Sequence, residues 1–250
     1  MDFEGHLSAL REHGPCLVQA AQEAGLDAPT PTCPDWRVAD LLGHIGGVHR
    51  WAASFVGTGL DQPSMQEDDG SLFAAPSGDR LPDWCRDAHR ALVNALEAPD
   101  AGAETKWSFL PAPSPLEFWA RRQAHETAIH RADAQIAAGI PIEFDAGFAA
   151  DGIGELLGGF MARRRGRLVA DPPTSLGVSA TDAEAEWTVL IGPDSRTVVP
   201  ERREVDCLLR GSASDLYLLL WNRAGTERIE VSGDPAALDL WRSTATIRWS

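Results

Sequence analysis

The chain has 250 residues, 44% of them hydrophobic and 24% charged, which is typical of a soluble globular protein with one large domain or two ordinary ones. Its formal net charge of -15 and pI near 4.8 argue against a nucleic-acid partner, because binding to a phosphate backbone requires clustered Lys and Arg. The N-terminus lacks the basic head and apolar stretch of a signal peptide, and no apolar run reaches the roughly 18 residues of a membrane span. We therefore expect a cytoplasmic protein that binds neither nucleic acid nor a membrane.

The spacing of apolar residues predicts four long helices before residue 140. They cover about residues 3–25, 38–52, 81–98 and 116–138. Gly14 and Pro15 interrupt the apolar spacing of the first helix, which could therefore be kinked, and Asp35 is a candidate N-cap for the second. Between the second and third helices, residues 57–82 are rich in Gly, Pro, Ser and Asp, which predicts a long loop that could cover a site.

The hydrophobic pattern changes its period near residue 168. Before that point, residues 148–160 predict one further helix, and the basic run at 163–167 is interpreted as its solvated end. Beyond it lie four short β-rich segments, at residues 176–179, 187–191, 197–199 and 204–209. Two helices close the chain, the first opened by a capping box at Ser212 and Asp215 and the second by a proline at 235.

These elements predict an α+β protein with two domains. Residues 1–167 would form a four-helix bundle, and residues 168–250 a smaller α/β domain. The four cysteines are scattered and form no C-x-x-C pair, which is typical of ordinary reduced thiols rather than of a zinc knuckle or a redox motif.

Glu126 and His130 are the strongest candidates for chemistry in the predicted bundle. They are four residues apart on the fourth helix, so both project from one face and could hold one divalent metal. The same spacing is also common in exposed helix pairs. A metal requires a third donor, and His44 is the best candidate because Leu41 and Ile45 place it on the buried side of the second helix. A histidine on an apolar face is, by itself, more often an ordinary core residue.

The second helix carries another histidine, His49, five positions beyond His44. The two side chains point about 140° apart on the helix, so they cannot both face one site. Arg50 beside it suggests that His49 lies nearer the rim of the bundle. We therefore expect His44 to meet the fourth helix.

Several motifs occur in a distinctive order along the chain. They are residues 33–36 (Cys-Pro-Asp-Trp) with 41–44 (Leu-Leu-Gly-His), residues 122–133 (Arg-Gln-Ala-His-Glu-Thr-Ala-Ile-His-Arg-Ala-Asp), residues 151–157 (Asp-Gly-Ile-Gly-Glu-Leu-Leu) and the tail from 211 to 235. This set resembles the mycothiol-dependent maleylpyruvate isomerase family of actinobacteria. The resemblance implies an N-terminal DinB-like metal-binding four-helix bundle and a small C-terminal α/β domain.

By this resemblance, His44, Glu126 and His130 would hold a divalent metal, typically zinc, with water or the thiol of mycothiol at the open position. His125 would be a neighbour rather than a ligand, because it leaves the helix about 100° from Glu126. Arg223 matches an arginine of the family's C-terminal domain that would contact the substrate carboxylate. This chain has Asn where a Gly commonly precedes that arginine, and a surface arginine ending a helix is the alternative interpretation.

The implied enzyme activates a low-molecular-weight thiol for attack on a small electrophilic or carboxylate substrate. In the isomerase reaction, the thiolate adds to the double bond of maleylpyruvate, the resulting single bond rotates, and elimination gives fumarylpyruvate. A mycothiol S-transferase, acting in detoxification or natural-product biosynthesis, would use the same site.

A non-catalytic binding or regulatory scaffold is the alternative from another class. Such a protein would be expected to lose the metal ligands, so the intact set of His44, Glu126 and His130 favours an enzyme. We expect a monomer or a small homo-oligomer.

Overall fold

The computed structural model describes residues 1–58, 69–98, 100–162 and 167–245. It divides into two compact units, Met1–Ile142 and Glu143–Ser250. The predicted boundary at 167/168 lies inside the second unit, because the helix that precedes it packs against a later helix of that unit. The arginines at 163–165 and residues 59–68 of the predicted loop lie outside the described residues.

In the described part of the first unit the secondary structure is helical, apart from an isolated β-bridge between Pro29 and Arg37. The helices are α1 (Phe3–Ala24), α2 (Val38–Phe55), α3 (Asp69–Leu72), α4 (Leu81–Glu97), α5 (Ala101–Glu104) and α6 (Pro115–Ala138). A single 3-10 turn at Gly78–Arg80 leads into α4. The four long helices form the predicted bundle, in which α1 and α2 each pack against both α4 and α6. The four predicted helices are confirmed within a few residues of their expected ends.

Leucine and isoleucine side chains at helical spacing form the core of this bundle. Leu17, Leu41, Leu42, Ile45 and Leu92 are each less than 2% exposed. Complete burial of such a side chain contributes about 1.5 to 3 kcal/mol to stability. The bundle therefore holds the polar residues of α2 and α6 on a well-packed frame.

Helix α1 is a single helix that includes Pro15, as predicted, and its packing against α4 and α6 offsets the hydrogen bond that proline cannot donate. The N-cap predicted for α2 was wrong. Helix α2 begins at Val38, because residues 30–36 close hydrogen-bonded turns before it. Asp35 is therefore not its N-cap; the carboxylate of Asp40 accepts a hydrogen bond from the Arg37 N–H at this end, at 2.8 Å.

The second unit combines helices with a five-stranded sheet. Helix α7 (Ala146–Gly154) continues as a π-helical turn (Glu155–Met161). The sheet contains β1 (Thr174–Ala180), β2 (Ala185–Ile191), β3 (Arg196–Val199), β4 (Cys207–Gly211) and β5 (Glu230–Gly233) in the order β3-β2-β1-β4-β5. Strand β1 is antiparallel to β2 and parallel to β4, and Val178 faces Trp187 and Leu209 in the two ladders.

Helices α8 (Ala213–Leu220) and α9 (Ala236–Thr244) complete this unit. The capping box is confirmed, since the Asp215 N–H donates to Ser212 Oγ and Ser212 Oγ donates to the Asp215 carboxylate. Four of the strands match predicted segments, whereas β5 was missed because its residues are mostly exposed and carry little apolar pattern. The fold class is thus a helical bundle with a smaller α/β domain. Among the helices in the described part of the chain, none combines the length and hydropathy that a membrane span requires.

Candidate metal centre

His44 on α2 and Glu126 and His130 on α6 form a compact cluster inside the first unit. Glu126 Oε1 lies 3.6 Å from His44 Nε2 and 3.4 Å from His130 Nε2. One ligand atom from each of the three residues lies within 4.8 Å of the others. The antiparallel pairing of α2 and α6 produces this arrangement, since it brings the first half of α2 against the second half of α6.

The chemistry of the cluster fits a divalent metal. Two imidazole nitrogens and one carboxylate oxygen form a common donor set for zinc, which holds such atoms at about 2.0 to 2.2 Å in a tetrahedral array. Donors of a tetrahedral site are then about 3.4 Å apart, close to the two distances measured from Glu126. Three protein donors also leave one position for a further ligand. The residues present therefore suit a metal site with an open position.

A buried arginine holds the carboxylate of Glu126 in place. The Nη2 atom of Arg122, one turn earlier on α6, donates to Glu126 Oε2 at 3.0 Å, and the Arg122 side chain is only 1% exposed. Burial alone would raise the pKa of Glu126, but its contacts with His130 and His44 and the charge of Arg122 hold that pKa well below the usual range. Glu126 is therefore ionised, with Oε1 directed at the two histidines.

A second carboxylate orients His130. Asp133 Oδ2 lies 2.9 Å from His130 Nδ1, and Thr32 Oγ1 donates to the other oxygen of Asp133 at 2.5 Å. Burial alone would lower the pKa of His130, but the hydrogen bonds to Asp133 and Glu126 raise it to about 9. With Nδ1 directed at Asp133, Nε2 is the atom that faces Glu126. The two carboxylates thus favour a positive charge at Nε2, which a proton or a metal can provide.

Trp36 packs on the histidines from the turn that precedes α2. Its ring centroid lies 4.9 Å from that of His44 and 6.2 Å from that of His130, nearly parallel to the latter at 25°. The same turn carries Thr32, which binds Asp133. Residues 30–36 therefore support two of the three cluster residues and limit the access of water to them.

The prediction that His49 lies near the rim was wrong. His49 is 1% exposed, whereas the side chain of His44 is 18% exposed. Thr127 Oγ1 donates to the Gln123 carbonyl at 2.7 Å, so it accepts the hydrogen bond from His49 Nε2 at 2.8 Å. Burial lowers the pKa of His49 well below its usual value, and this histidine is neutral. His44 is the histidine of α2 that faces the cluster.

Of the other two predicted residues, His125 is not part of this cluster and Arg223 belongs to the second unit. His125 is fully buried, and its ring lies 6.0 Å from that of His6 rather than beside Glu126. Arg223 belongs to the second unit, where its backbone N–H donates to the Leu218 carbonyl at 2.8 Å. Its side chain also donates to a carbonyl two residues earlier. The role of Arg223 therefore stays a prediction.

Sequence reasoning assigned no role to Arg122, Asp133, Thr32 or Trp36. Two of them had a signal in the helix spacing, because Arg122 precedes Glu126 by four residues and Asp133 follows His130 by three. Thr32 and Trp36 had no such signal in the sequence beyond their place at a motif. Backbone hydrogen bonds within the turn set the positions of their side chains, and helix spacing does not describe such a turn.

Comparison with known proteins gives a consistent family and fold. The model of the mycothiol maleylpyruvate isomerase N-terminal domain matches residues 7–135, and that of the C-terminal domain of the same family matches residues 147–240. Two crystal structures, of the mycothiol-dependent maleylpyruvate isomerase and of a histidine-to-alanine mutant of it, each superpose with a TM-score of 0.62 at 13% identity, over 93% of both chains. Comparison with curated proteins gives no match.

Proposed function

Because the chain belongs to the mycothiol maleylpyruvate isomerase family, a family of enzymes, we propose that it is a mycothiol-dependent metalloenzyme with His44, Glu126 and His130 as its metal ligands. Zinc is the metal we expect from two imidazoles and one carboxylate. The reaction is the attack of a thiol on a small electrophile, with the cis-trans isomerisation of maleylpyruvate as the first candidate.

One observation carries this proposal. Glu126 Oε1 lies within 3.6 Å of the Nε2 atoms of both histidines, while Arg122 and Asp133 hold the far sides of Glu126 and His130. A carboxylate and two imidazoles converging in the interior of a bundle have a high cost in desolvation unless a charge compensates them. A divalent cation provides that charge, and a decayed scaffold would have no reason to keep the arrangement.

The residues of the cluster would divide the work as follows. Asp133 keeps a proton on His130 Nδ1, so that Nε2 presents a lone pair. Arg122 neutralises one oxygen of Glu126 and leaves the other for the metal. A bound zinc ion lowers the pKa of a thiol that joins it and so makes thiolate available at neutral pH. His44, the most exposed of the three, lies on the side from which a cosubstrate can enter.

The electrophile in this proposal carries a carboxylate, and Arg223 is the residue we assign to it. A guanidinium can bind a carboxylate through two parallel hydrogen bonds, which fixes both the position and the orientation of a small substrate. This assignment follows the family resemblance of the segment at 220–223.

The first test is the metal content of the purified protein. We expect about one zinc per chain in the wild type and less than about a tenth of that in Glu126→Ala, because two histidines alone form a weak site. Glu23→Ala, on the outer surface of α1, is the matched control and should keep its metal. A wild-type protein that binds no metal after reconstitution would overturn the proposal.

The second test is turnover by the metal-loaded protein. Maleylpyruvate incubated with mycothiol should give fumarylpyruvate, followed by absorbance, and omission of the thiol should stop the reaction. If a stable mycothiol adduct accumulates instead, with either maleylpyruvate or an alkylating electrophile, the enzyme is an S-transferase. Loaded protein that does neither would leave the metal site but refute thiol chemistry.

A further inference from the structure

A cavity of about 920 Å³ opens beside His44 in the first unit. This volume is within the range of small-molecule sites, and the cavity is the place where a ligand of the proposed metal centre meets open space. Its walls come from both ends of the connection between α1 and α2, from the first turns of α2, from the segment 73–79 and from the first residue of α4. The lining residues are Leu26, Asp27, Trp36, Ala39, Asp40, Gly43, His44, Phe73, Ala75, Pro76, Ser77, Gly78, Asp79 and Leu81.

The segment 73–79 is seated on a face of α2 that lacks side chains. A Cβ atom built at Gly47 would meet the Phe73 ring at 2.2 Å, and one at Gly43 would lie 3.5 Å from Ala75. Phe73 is nevertheless 40% exposed. The glycines of α2 thus bring an aromatic ring to the wall of the cavity, which Trp36 also lines.

The charged walls of this cavity are acidic. Asp27, Asp40 and Asp79 line it, and the described lining residues include neither Lys nor Arg. The guanidinium of Arg37, the nearest basic group along the chain to Asp40, is engaged with the Asp27 carbonyl at 2.5 Å. Carboxylates accept hydrogen bonds from hydroxyl groups, but repel carboxylates and phosphates.

These features together suit a neutral, hydroxyl-rich molecule. Acceptors on the walls can bind its hydroxyls, and the rings of Trp36 and Phe73 can cover its C–H faces. We propose that this cavity binds the polyol portion of the thiol cosubstrate and excludes thiols that carry carboxylates. The inference rests on the proposed function, because the polyol would lie in this cavity only if the thiol of the same molecule reacts at a metal held by His44.

The proposal selects between classes of cellular thiol. In mycothiol, cysteine is amide-linked to an amino sugar joined to inositol, so the molecule has many hydroxyls and no carboxylate. Glutathione carries two carboxylates and one ammonium group. With three aspartates on its walls, the cavity should accept the first and reject the second. The anionic electrophile must then be bound by other residues of the enzyme.

The decisive experiment measures binding of the glucosaminyl-inositol unit without its cysteine, by calorimetry, to the full-length protein freed of metal. This probe cannot coordinate a metal or react, so its binding is independent of the metal centre. We expect saturable binding to the wild type. Binding to the double variant Asp27→Asn/Asp79→Asn should be about fivefold to tenfold weaker, since each substitution removes one charge-assisted hydrogen bond at an exposed site. Asp87→Asn, an equal charge change on the outer face of α4, is the control and should bind as the wild type does.

Three outcomes would overturn the inference. The probe could fail to bind while mycothiol still supports turnover, which would leave the proposed function intact and place the polyol elsewhere. The Asp27→Asn/Asp79→Asn variant could bind it as tightly as the wild type. Binding could also weaken steeply with added salt, which would show that the aspartates bind the ammonium group of the probe rather than its hydroxyls. Loss of binding on acetylation of that amine would confirm this.

A comparison of thiols in the metal-loaded enzyme adds an independent readout. In the wild type, glutathione should support at most a small fraction of the rate given by mycothiol. In Asp27→Asn/Asp79→Asn the ratio of the mycothiol rate to the glutathione rate should fall about tenfold, because the cavity then repels the carboxylates of glutathione less strongly. Equal use of both thiols by the wild type would contradict the selection that the acidic walls imply.

Discussion

Two residues of the cluster are each held by a second group on the far side. Arg122 binds Glu126, and Asp133 binds His130, so neither ligand depends on the metal for its orientation. Thr32 extends the second contact to the turn before α2. Outer contacts of this kind commonly change metal affinity by about 10- to 100-fold, because they fix the tautomer of a histidine and raise its basicity.

We therefore expect Asp133→Asn to bind zinc about 10- to 100-fold more weakly than the wild type, with one metal per chain still bound at saturation. The asparagine keeps the size of the side chain but removes the charge that favours a cation at His130. Competition with a chromophoric chelator measures the affinity. Asp83→Asn, on the exposed face of α4, should leave it unchanged. An affinity within about twofold of the wild type for Asp133→Asn would show that Asp133 does not orient His130.

The sequence could predict the three proposed ligands more readily than the residues that support them. Glu126 and His130 share a helix, so their spacing alone places them on one face. The distance between His44 and Glu126 depends on how α2 pairs with α6, which the predicted bundle suggested and the family resemblance supported. Trp36 reaches the cluster through a turn whose shape is set by backbone hydrogen bonds, and side-chain periodicity carries no information about it.

Within α2, two glycines allow neighbouring aromatic rings to pack directly against the helix backbone. Gly46 lies against Trp84 of α4, and Gly47 lies against Phe73. Trp84 in turn carries the guanidinium of Arg50 over its ring at 5.4 Å. The absence of side chains at these positions lets large rings approach the backbone of α2, which fixes the separation of α2 and α4.

Replacing one of these glycines should separate the effect of packing from that of helix propensity. In Gly46→Ala the new methyl would lie 2.2 Å from the Trp84 ring, so we expect about 1 to 3 kcal/mol of destabilisation. Gly43→Ala is the matched control, since its methyl would meet Ala75 at an ordinary 3.5 Å. Its higher helix propensity should stabilise the protein by up to about 1 kcal/mol. Urea unfolding followed by circular dichroism measures both values, and equal values for the two variants would refute the role of Gly46.

The same helix explains the error over His49. A single apolar stripe identifies one buried face, but α2 packs against both α4 and α6. His49 lies between these two helices, with its ring 5.5 Å from that of His89 on α4 and its Nε2 bonded to Thr127 on α6. Two residues about 140° apart can therefore both be enclosed. A helix with two partners has two buried faces, and the charge of Arg50 beside His49 was no guide to its exposure.

For the whole molecule, the distribution of histidines links stability to pH. All seven lie in the first unit, and several are buried as neutral rings. Burial lowers the pKa of His13 to about 3, with the charges of Arg131 and His125 adding to this effect. Burial also lowers the pKa of His49 and His89. Below pH 6.5 the unfolded chain thus binds protons that the folded chain does not, so the free energy of unfolding falls as the pH falls.

His13→Gln should make the metal-free protein less sensitive to acid. A histidine with a pKa of 6.5 when unfolded and about 3 when folded lowers the free energy of unfolding by about 2.5 kcal/mol between pH 7 and pH 4.5. The glutamine variant lacks this loss, whatever its stability at pH 7. Urea titrations at several pH values give the comparison, with Glu23→Gln as an exposed control on the same helix. Parallel profiles for the wild type and His13→Gln would show that folding does not lower the pKa of His13.

The division into two units separates metal binding from substrate binding in the proposed enzyme. The three metal ligands belong to Met1–Ile142, whereas Arg223 belongs to Glu143–Ser250. Full-length Arg223→Ala should therefore keep its zinc and its affinity for mycothiol, while the KM for maleylpyruvate rises about tenfold or more through the loss of charge-assisted hydrogen bonds. Arg223→Lys should raise the KM less than Arg223→Ala does. Arg210→Ala, at an exposed arginine of the same unit, is the control and should leave the KM unchanged. Steady-state kinetics with metal analysis on the same samples measures these effects; an unchanged KM in Arg223→Ala would reduce Arg223 to a surface arginine at the end of α8.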